Sequence, residues 1–343
     1  MESIAKKLTD WYRVNARPLP WRLTADPYRV LVSEIMLQQT RVEAVIGYYT
    51  RFLDAFPSVQ ALASSDEEHL LKLWEGLGYY SRARNLRRAA ADIITRFGGQ
   101  LPQTAAELAT LPGVGPYTAG AVASLCFGEP VPAVDGNALR IMARLYADGG
   151  NVLDPAVKKR MTAQIAALLP ADDPGAFNAG LMELGQTVCL PNGTPRCEAC
   201  PLAADCLSRE NALWKTLPVR EKQAKRRVEE KTVFALYCDG RYFGLRRPDG
   251  GLLASLYALP ECAGRLTDAD ALSRLTAFGA HPVGEVLFYD RRHLFTHVEW
   301  RMRVCFAEVS VPDPLPCGWL ALDEDIHPLP TAYRICLRGA GKD

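Results

Sequence analysis

Apolar positions recur every three or four residues through the first two hundred residues of the chain and alternate through the last hundred, which predicts helices followed by strands. Asp26-Pro27 forms an N-cap and first-turn pair. Behind it, from Tyr28 to Phe56, the stripe Leu31, Ile35, Val42, Ile46, Tyr49 and Leu53 keeps a period near 3.6 and predicts one long helix. Further helices are expected over about 67–75, 82–97, 104–110, 117–126, 137–146, 155–168 and 175–188, with Gly, Pro or Asp at each join. The texture changes after Cys206. Residues 215–231, including Lys222, Lys225, Arg226 and Arg227, carry little apolar material and read as a linker. From Thr232 onward TVFALYC and RYFGLRR flank Asp239-Gly240, a hairpin signal. Residues 267–278 read as one helix, and strands resume at EVLFYD and at HLFTHVEWRMRVCFAEV. The expected organisation is a helical domain over 1–214, a linker over 215–231 and an α+β module over 232–343, with no internal repeat.

Composition narrows the class. At 343 residues the chain is long enough for two domains, each with its own core. Hydrophobic residues make up 48% and charged residues 23%, as in a soluble globular protein. No apolar run approaches the roughly 20 residues of a membrane helix. The opening MESIAKKLTDWYRV follows neither a signal-peptide nor a transit-peptide plan, so a cytoplasmic location is expected, nucleoid-associated if the chain binds DNA. Net charge is only +1, so any nucleic-acid reading must rest on local patches. Arg82, Arg84, Arg87 and Arg88 form one, with no acid between Gly78 and Asp92, although such a run on a helix is ordinarily a solvated face.

Ten cysteines without a secretory signal argue against a disulfide framework. Cys126, Cys238, Cys262, Cys305, Cys317 and Cys336 are scattered and read as core thiols. Cys189, Cys197, Cys200 and Cys206 are crowded in the pattern C-x7-C-x2-C-x5-C. Four thiolates suit zinc or an iron–sulfur cluster. A zinc ribbon pairs two CxxC knuckles across a longer gap, whereas one CxxC with a single cysteine on either side favours a compact [4Fe–4S] cube. Arg196 and Arg209 beside this loop suit phosphates or plain solvation.

Leu111-Pro-Gly-Val-Gly-Pro-Tyr117 lies between two expected helices. There Gly113 and Gly115 let an anion approach the first backbone N–H groups of the next helix. Eighteen residues beyond Tyr117 comes Asp135, in VDGN at the start of ALRIMARLY. It reads as an N-cap, and the helix terminus is expected to lower its pKa and keep it ionised. An ionised acid beside a sugar stabilises an oxocarbenium-like cation. Glu34, in VLVSEIML, lies too deep in its helix for a cap. Leu31, Ile35 and Leu37 around it predict a raised pKa and a proton-donor role. The competing reading places Glu34 on a polar edge with Ser33, Gln38 and Gln39. Two carboxyls with pKa values pushed apart form an acid/base pair.

Taken together, Leu19-Pro-Trp-Arg22, Ser33-Glu34-Ile-Met-Leu-Gln-Gln-Thr-Arg41, Gly76-Leu-Gly-Tyr-Tyr-Ser-Arg82, the 111–117 hairpin and Asp135-Gly-Asn137 resemble the adenine DNA glycosylase family over nearly the whole chain. The resemblance implies a mostly α, two-lobed helix-hairpin-helix glycosylase domain with a [4Fe–4S] loop at 189–206. It also implies a C-terminal α+β Nudix-like domain. The implied activity is monofunctional removal of adenine opposite 8-oxoguanine or guanine in double-stranded DNA, by a monomer. By the same resemblance Glu34 protonates adenine at N7, Asp135 stabilises the sugar cation, and Tyr117 and Asn137 support them. Arg22 and Glu183 match adenine-pocket or DNA-binding positions. Gln39 and Tyr79 match groups that enter the duplex, and Leu77 matches a wedge beside them.

Tyr117 stands where endonuclease III has a lysine nucleophile, and tyrosine forms no Schiff base. An oxidised-pyrimidine glycosylase/lyase is therefore disfavoured; a non-catalytic DNA-binding relative is the other alternative. In the C-terminal module Phe295-Thr296-His297 matches the family's Phe-Ser-His element for 8-oxoguanine, with Thr in place of Ser. No RExxEE box is present, which argues against pyrophosphohydrolysis. The x7 spacing after Cys189, against the usual x6, is expected to be absorbed by a turn in 191–195.

Overall fold

A computed structural model of the chain describes residues 2–221, 226–310, 315–316, 318–323 and 325–337. Lys222 and Lys225 of the expected linker, and Cys317, lie outside the described residues. The chain divides into two compact units, one of residues 1–65 and 81–222, the other of 66–80 and 223–343. The helices are α1 (Ile4–Asn15), α2 (Pro27–Leu37), α3 (Val42–Ala55), α4 (Val59–Ala63), α5 (Glu67–Leu73), α6 (Ser81–Phe97), α7 (Ala105–Leu108), α8 (Pro116–Phe127), α9 (Gly136–Leu145), α10 (Pro155–Leu168), α11 (Pro174–Thr187) and α12 (Leu207–Glu210). All but α5 lie in the first unit. None of the described helices is long and apolar enough to cross a membrane.

Asp26 caps α2 as its sequence suggests, its carboxylate accepting from the Tyr28 amide at 2.9 Å. The long helix expected from Tyr28 to Phe56, however, is two helices broken at 38–41. Gln39 takes a left-handed φ of 60°, and Arg82, reaching across from α6, donates to the Ile35 and Met36 carbonyls at 3.1 and 2.8 Å. A guanidinium thus satisfies the last carbonyls of α2, which a further helical turn would otherwise take. The break shifts the helical phase. The face of α3 turned to the core is Val42, Val45, Tyr49 and Phe52, while Ile46 of the expected stripe is exposed. Arg82 is correspondingly buried, so the 82–88 arginines are not one solvated face.

A core formed by Leu8, Ile141, Met142, Phe177 and Leu181 joins α1, α9 and α11, and Cys189, Cys200 and Cys206 pack against it. The cysteine loop is therefore seated on the two helices that frame Asp135 and Glu183.

The second unit carries the strands β1 (Arg227–Cys238), β2 (Arg241–Arg246), β3 (Tyr257–Ala258), β4 (Glu261–Ala263), β5 (His281–Pro282), β6 (Leu287–Leu294), β7 (Val298–Ser310) and β8 (Trp319–Leu322), with α13 (Asp268–Ala277) and α14 (Thr331–Leu337). β1 is central and runs parallel to β7, which pairs antiparallel with β6; β2 follows β1 through Asp239-Gly240, both at positive φ. Alternate residues of β1 face opposite cores. Val233 and Ala235 pack with Tyr333 and Cys336 of α14, and Phe234 and Leu236 with Ala271 and Leu275 of α13. Burial on both faces explains the unbroken apolar run in this strand.

The structure departs from the expected pattern in two places here. β1 begins at Arg227, inside the expected linker, because Arg227–Lys231 pair with Val298–Met302 and Glu229 accepts from the Trp300 indole at 2.9 Å. The long strand expected over 293–309 is also interrupted: Phe295-Thr296-His297 is the turn between β6 and β7.

Candidate active site and cysteine loop

A cavity of about 1210 Å³ opens in the helical unit. Of the residues singled out from sequence it brings together Arg22, Glu34, Gln39, Gly115, Tyr117, Asp135 and Asn137. Gly113 and Glu183 stand outside its lining. Gly113 holds a left-handed φ of 77° in the hairpin, where a Cβ would come within 2.7 Å of Asn85. α8 then starts at Pro116 with no side-chain cap, leaving its first amides for a ligand.

Glu34 sits on the buried face of α2, 5% exposed, so the polar-edge reading does not hold. Its Oε2 has no hydrogen-bond partner. Burial pushes its carboxyl up to about 7, partly offset by a hydrogen-bonding contact with Tyr117 and reinforced by the charge of Asp135. A buried carboxyl with an unsatisfied oxygen is stable as the neutral acid, the form that can give a proton. Burial and the nearby Glu34 charge also raise the Tyr117 hydroxyl well above its ordinary value, so it remains a donor; it lies 3.4 Å from Met182 Sδ.

Asp135 caps α9. Its Oδ1 accepts from the Asn137 and Ala138 amides at 2.9 and 2.8 Å, and its Oδ2 accepts from Asn137 Nδ2 at 2.6 Å. The helix start was expected to lower its pKa. Burial is the larger effect and raises it, with the three donors pulling the other way. Every partner is a donor, so the arrangement matches a carboxylate, in contrast to Glu34.

Glu183 is fully buried behind the cavity wall. Its two oxygens accept from Arg17 Nε at 2.7 Å and Nη2 at 2.9 Å, and Oε2 also accepts from Arg22 Nη2 at 2.7 Å. Burial pushes it up, but Arg17 and Arg22 outweigh this and hold it at about 2. Glu183 thus holds Arg17 and Arg22, which line the cavity, back against α11.

Sequence reasoning missed two further supports. Arg140 on α9 donates to Asn137 Oδ1 at 2.9 Å, Gly185 O at 2.7 Å and Cys189 O at 3.0 Å, linking the cysteine loop to the residue that orients Asp135. Asn178 on α11, fully buried, accepts from the Ala133 amide at 3.1 Å and donates to Val131 O at 2.9 Å, which fixes the strand-like approach to Asp135. The available signal was indirect: Gly185 has no side chain because a Cβ there would lie 2.5 Å from Asn137.

All four clustered cysteines line one small cavity of about 40 Å³, with Arg144 and Arg209 beside them. Arg144 donates to Cys189 Sγ at 3.3 Å. The Arg196 amide closes the loop on Val188 O at 3.0 Å, so the extra residue after Cys189 is taken up within it. Burial pushes Cys200 up to about 12 and also raises Cys197 and Cys206, so a bound metal has to displace protons. Among the described residues no group of three or more His, Cys, Asp or Glu is placed to hold a metal ion directly. Four thiols lining one cavity are the residues that could hold a metal centre here.

In the second unit Tyr79, at φ 50° and 44% exposed, places its hydroxyl 2.8 Å from Thr296 Oγ1. The turn is held by Phe295 N to Val298 O at 2.8 Å, Arg226 Nε to Phe295 O at 2.9 Å and Arg227 N to His297 O at 3.0 Å. Phe295 packs edge-on against Trp300, and Thr296 and His297 are exposed. Leu77, expected as a wedge, is instead buried at 6% exposure, its amide bonded to Trp74 O at 3.1 Å.

Residues 32–167 match the HhH-GPD superfamily base excision DNA repair protein family, and 232–339 match the NUDIX domain family. The chain is 34% identical over 258 residues to the adenine DNA glycosylase of Buchnera aphidicola subsp. Baizongia pistaciae (strain Bp), covering 74% of this chain and 72% of that one. It is 43% identical over 212 residues to the adenine DNA glycosylase of Homo sapiens, covering 59% of this chain and 39% of the human protein. A solved structure of a thermostable thymine-DNA glycosylase superposes with a TM-score of 0.54 at 28% identity, over 60% of this chain and 95% of that one.

Proposed function

The chain belongs to the adenine DNA glycosylase family, and from that premise we propose that it hydrolyses the N-glycosidic bond of adenine mispaired with 8-oxoguanine or guanine in duplex DNA, without cutting the strand. The observation that carries this reading is the pairing of Glu34, buried with a free oxygen and pushed up to about 7 by that burial, with Asp135, held by three donors. Glu34 gives its proton to N7 of the extruded adenine, the C1′–N9 electron pair leaves with the base, and Asp135 steadies the cation until water adds at C1′ and gives its proton back to the Glu34 carboxylate. Tyr117 occupies the hairpin position and offers no amine for a Schiff base, which favours hydrolysis over lyase chemistry.

Cys189, Cys197, Cys200 and Cys206 are the residues that would hold a [4Fe–4S] cluster, supplying loop structure rather than bond chemistry. Tyr79, Phe295, Thr296 and His297 would read the opposite 8-oxoguanine.

The test is a duplex with adenine opposite 8-oxoguanine, analysed with and without alkali. Base release with breakage only after alkali is expected. Breakage without alkali, or a borohydride-trapped adduct, would support the lyase alternative. Binding without any base release would support a non-catalytic relative.

A further inference from the structure

The segment that leaves the cysteine loop is pinned to the helical unit at two points. Leu217 O accepts from Arg144 Nε at 3.0 Å, and Val219 O accepts from the Val152 amide at 3.1 Å. Arg220 follows at once. It is exposed, and its Nη2 lies 3.4 Å from the position a Cβ on Gly136 would take. Gly136 is a wall residue of the cavity and the immediate neighbour of Asp135. Among the described residues no carboxylate or other acceptor engages the Arg220 guanidinium, which places an exposed cation beside Gly136, next to the proposed centre of bond cleavage.

Such a cation is unfavourable for the proposed reaction, which develops positive charge on the sugar held by Asp135. The conflict disappears if the guanidinium is engaged by an anion, and the phosphates flanking the target nucleotide arrive together with that sugar. Arginine suits a phosphate by its forked donors, and a glycine at 136 leaves room for a phosphate oxygen to approach. We infer that Arg220 is a phosphate-binding residue for the strand carrying the excised base, seating one phosphodiester next to that nucleotide against the start of α9. This subsite rests on the proposed glycosylase reading of the cavity.

The test combines Arg220→Ala with duplexes in which single phosphates around the target adenosine are replaced by neutral methylphosphonates. Binding is measured in a Glu34→Gln background so that no base is lost. Arg220→Ala should weaken binding roughly tenfold on the ordinary duplex and reduce the slope of log affinity against log salt by about one. At one methylphosphonate position next to the target the substitution should cost nothing further, and Arg220→Lys should restore part of the affinity. A loss that is the same at every methylphosphonate position, or no loss at all, overturns the inference. The parent protein's preference for the adenine mispair over a matched duplex is read separately: if that preference is absent while the Arg220 coupling persists, the glycosylase reading fails and the phosphate site stands.

Discussion

The hydroxyl of Tyr79 lies 2.8 Å from Thr296 Oγ1, although 217 positions separate the two residues in the chain. Tyr79 takes a left-handed backbone to reach there, and Thr296 stands on a turn held by two backbone hydrogen bonds and one from the Arg226 side chain. A hydrogen bond between two exposed hydroxyls costs little to break, so its stability value is small. Its use is positional: it presents an aromatic ring and a hydroxyl side by side.

If that pair reads the base opposite adenine, removing either hydroxyl should narrow the preference for 8-oxoguanine over guanine. Tyr79→Phe and Thr296→Val are each expected to lower the ratio of single-turnover rates roughly tenfold, and the double variant should do no worse than the stronger single one. Thr296→Ser should behave as the parent. Independent, multiplying losses would show that the two residues act apart.

Much of this arrangement was legible in the sequence because local chemistry encoded it. Asp26-Pro27 and Asp239-Gly240 act through their own backbone, so the α2 cap and the β1–β2 turn could be read directly. Glu34 was legible because its apolar neighbours surround it on one helix. The break at Gln39 was not, since its cause is Arg82, more than forty positions away. The 295–297 turn was hidden for the opposite reason: the residues on both sides are strand formers, and only the pairing of β6 with β7 shows where the chain reverses. Asp135 was placed correctly but its pKa direction was misjudged, because burial is a property of the packed fold and outweighs the cap.

Burial holds Glu34 at about 7 against an ordinary 4.5. As a proton donor it is competent below that value, so single-turnover base release should fall as pH rises through about 7, and it should fall again in acid, where the Asp135 carboxylate, its own pKa raised by burial, takes up a proton. Glu34→Gln should abolish release at every pH. A rate that climbs through that range instead would assign the essential acid to another group.

The same shift has a stability consequence. An acid whose pKa is raised on folding favours the folded state most below 4.5, and that contribution is lost as pH rises through about 7. Glu34→Gln removes the penalty of ionising a buried group. Thermal unfolding should show the variant more stable than the parent at pH 8, by up to about 3 kcal/mol, and little changed at pH 5. A variant less stable at pH 8 would show that the carboxylate is better solvated than its burial implies.

Glu183 runs the other way. Held at about 2, it contributes stability that is present above pH 4.5 and is lost as pH falls toward 2. Glu183→Ala leaves Arg17 and Arg22 converging on an apolar wall and should cost about 3–5 kcal/mol. Chemical denaturation at neutral pH checks this; a loss below 1 kcal/mol would mean that the two arginines simply swing into the cavity.

Arg140 offers the sharpest separation between fold and chemistry. Its three hydrogen bonds span Asn137, Gly185 and Cys189, so one side chain sets the angle of the amide that donates to Asp135 while touching the cysteine loop only at a backbone carbonyl. Arg140→Gln keeps a donor but cannot reach all three acceptors. Base release should fall about 10- to 100-fold, the scale expected when the partner that orients a reacting group is lost. The four thiols are not touched by the substitution, so the iron and visible absorbance of the proposed cluster should match the parent. Equal loss of iron and activity would mean that Arg140 serves the loop first and Asp135 only through it.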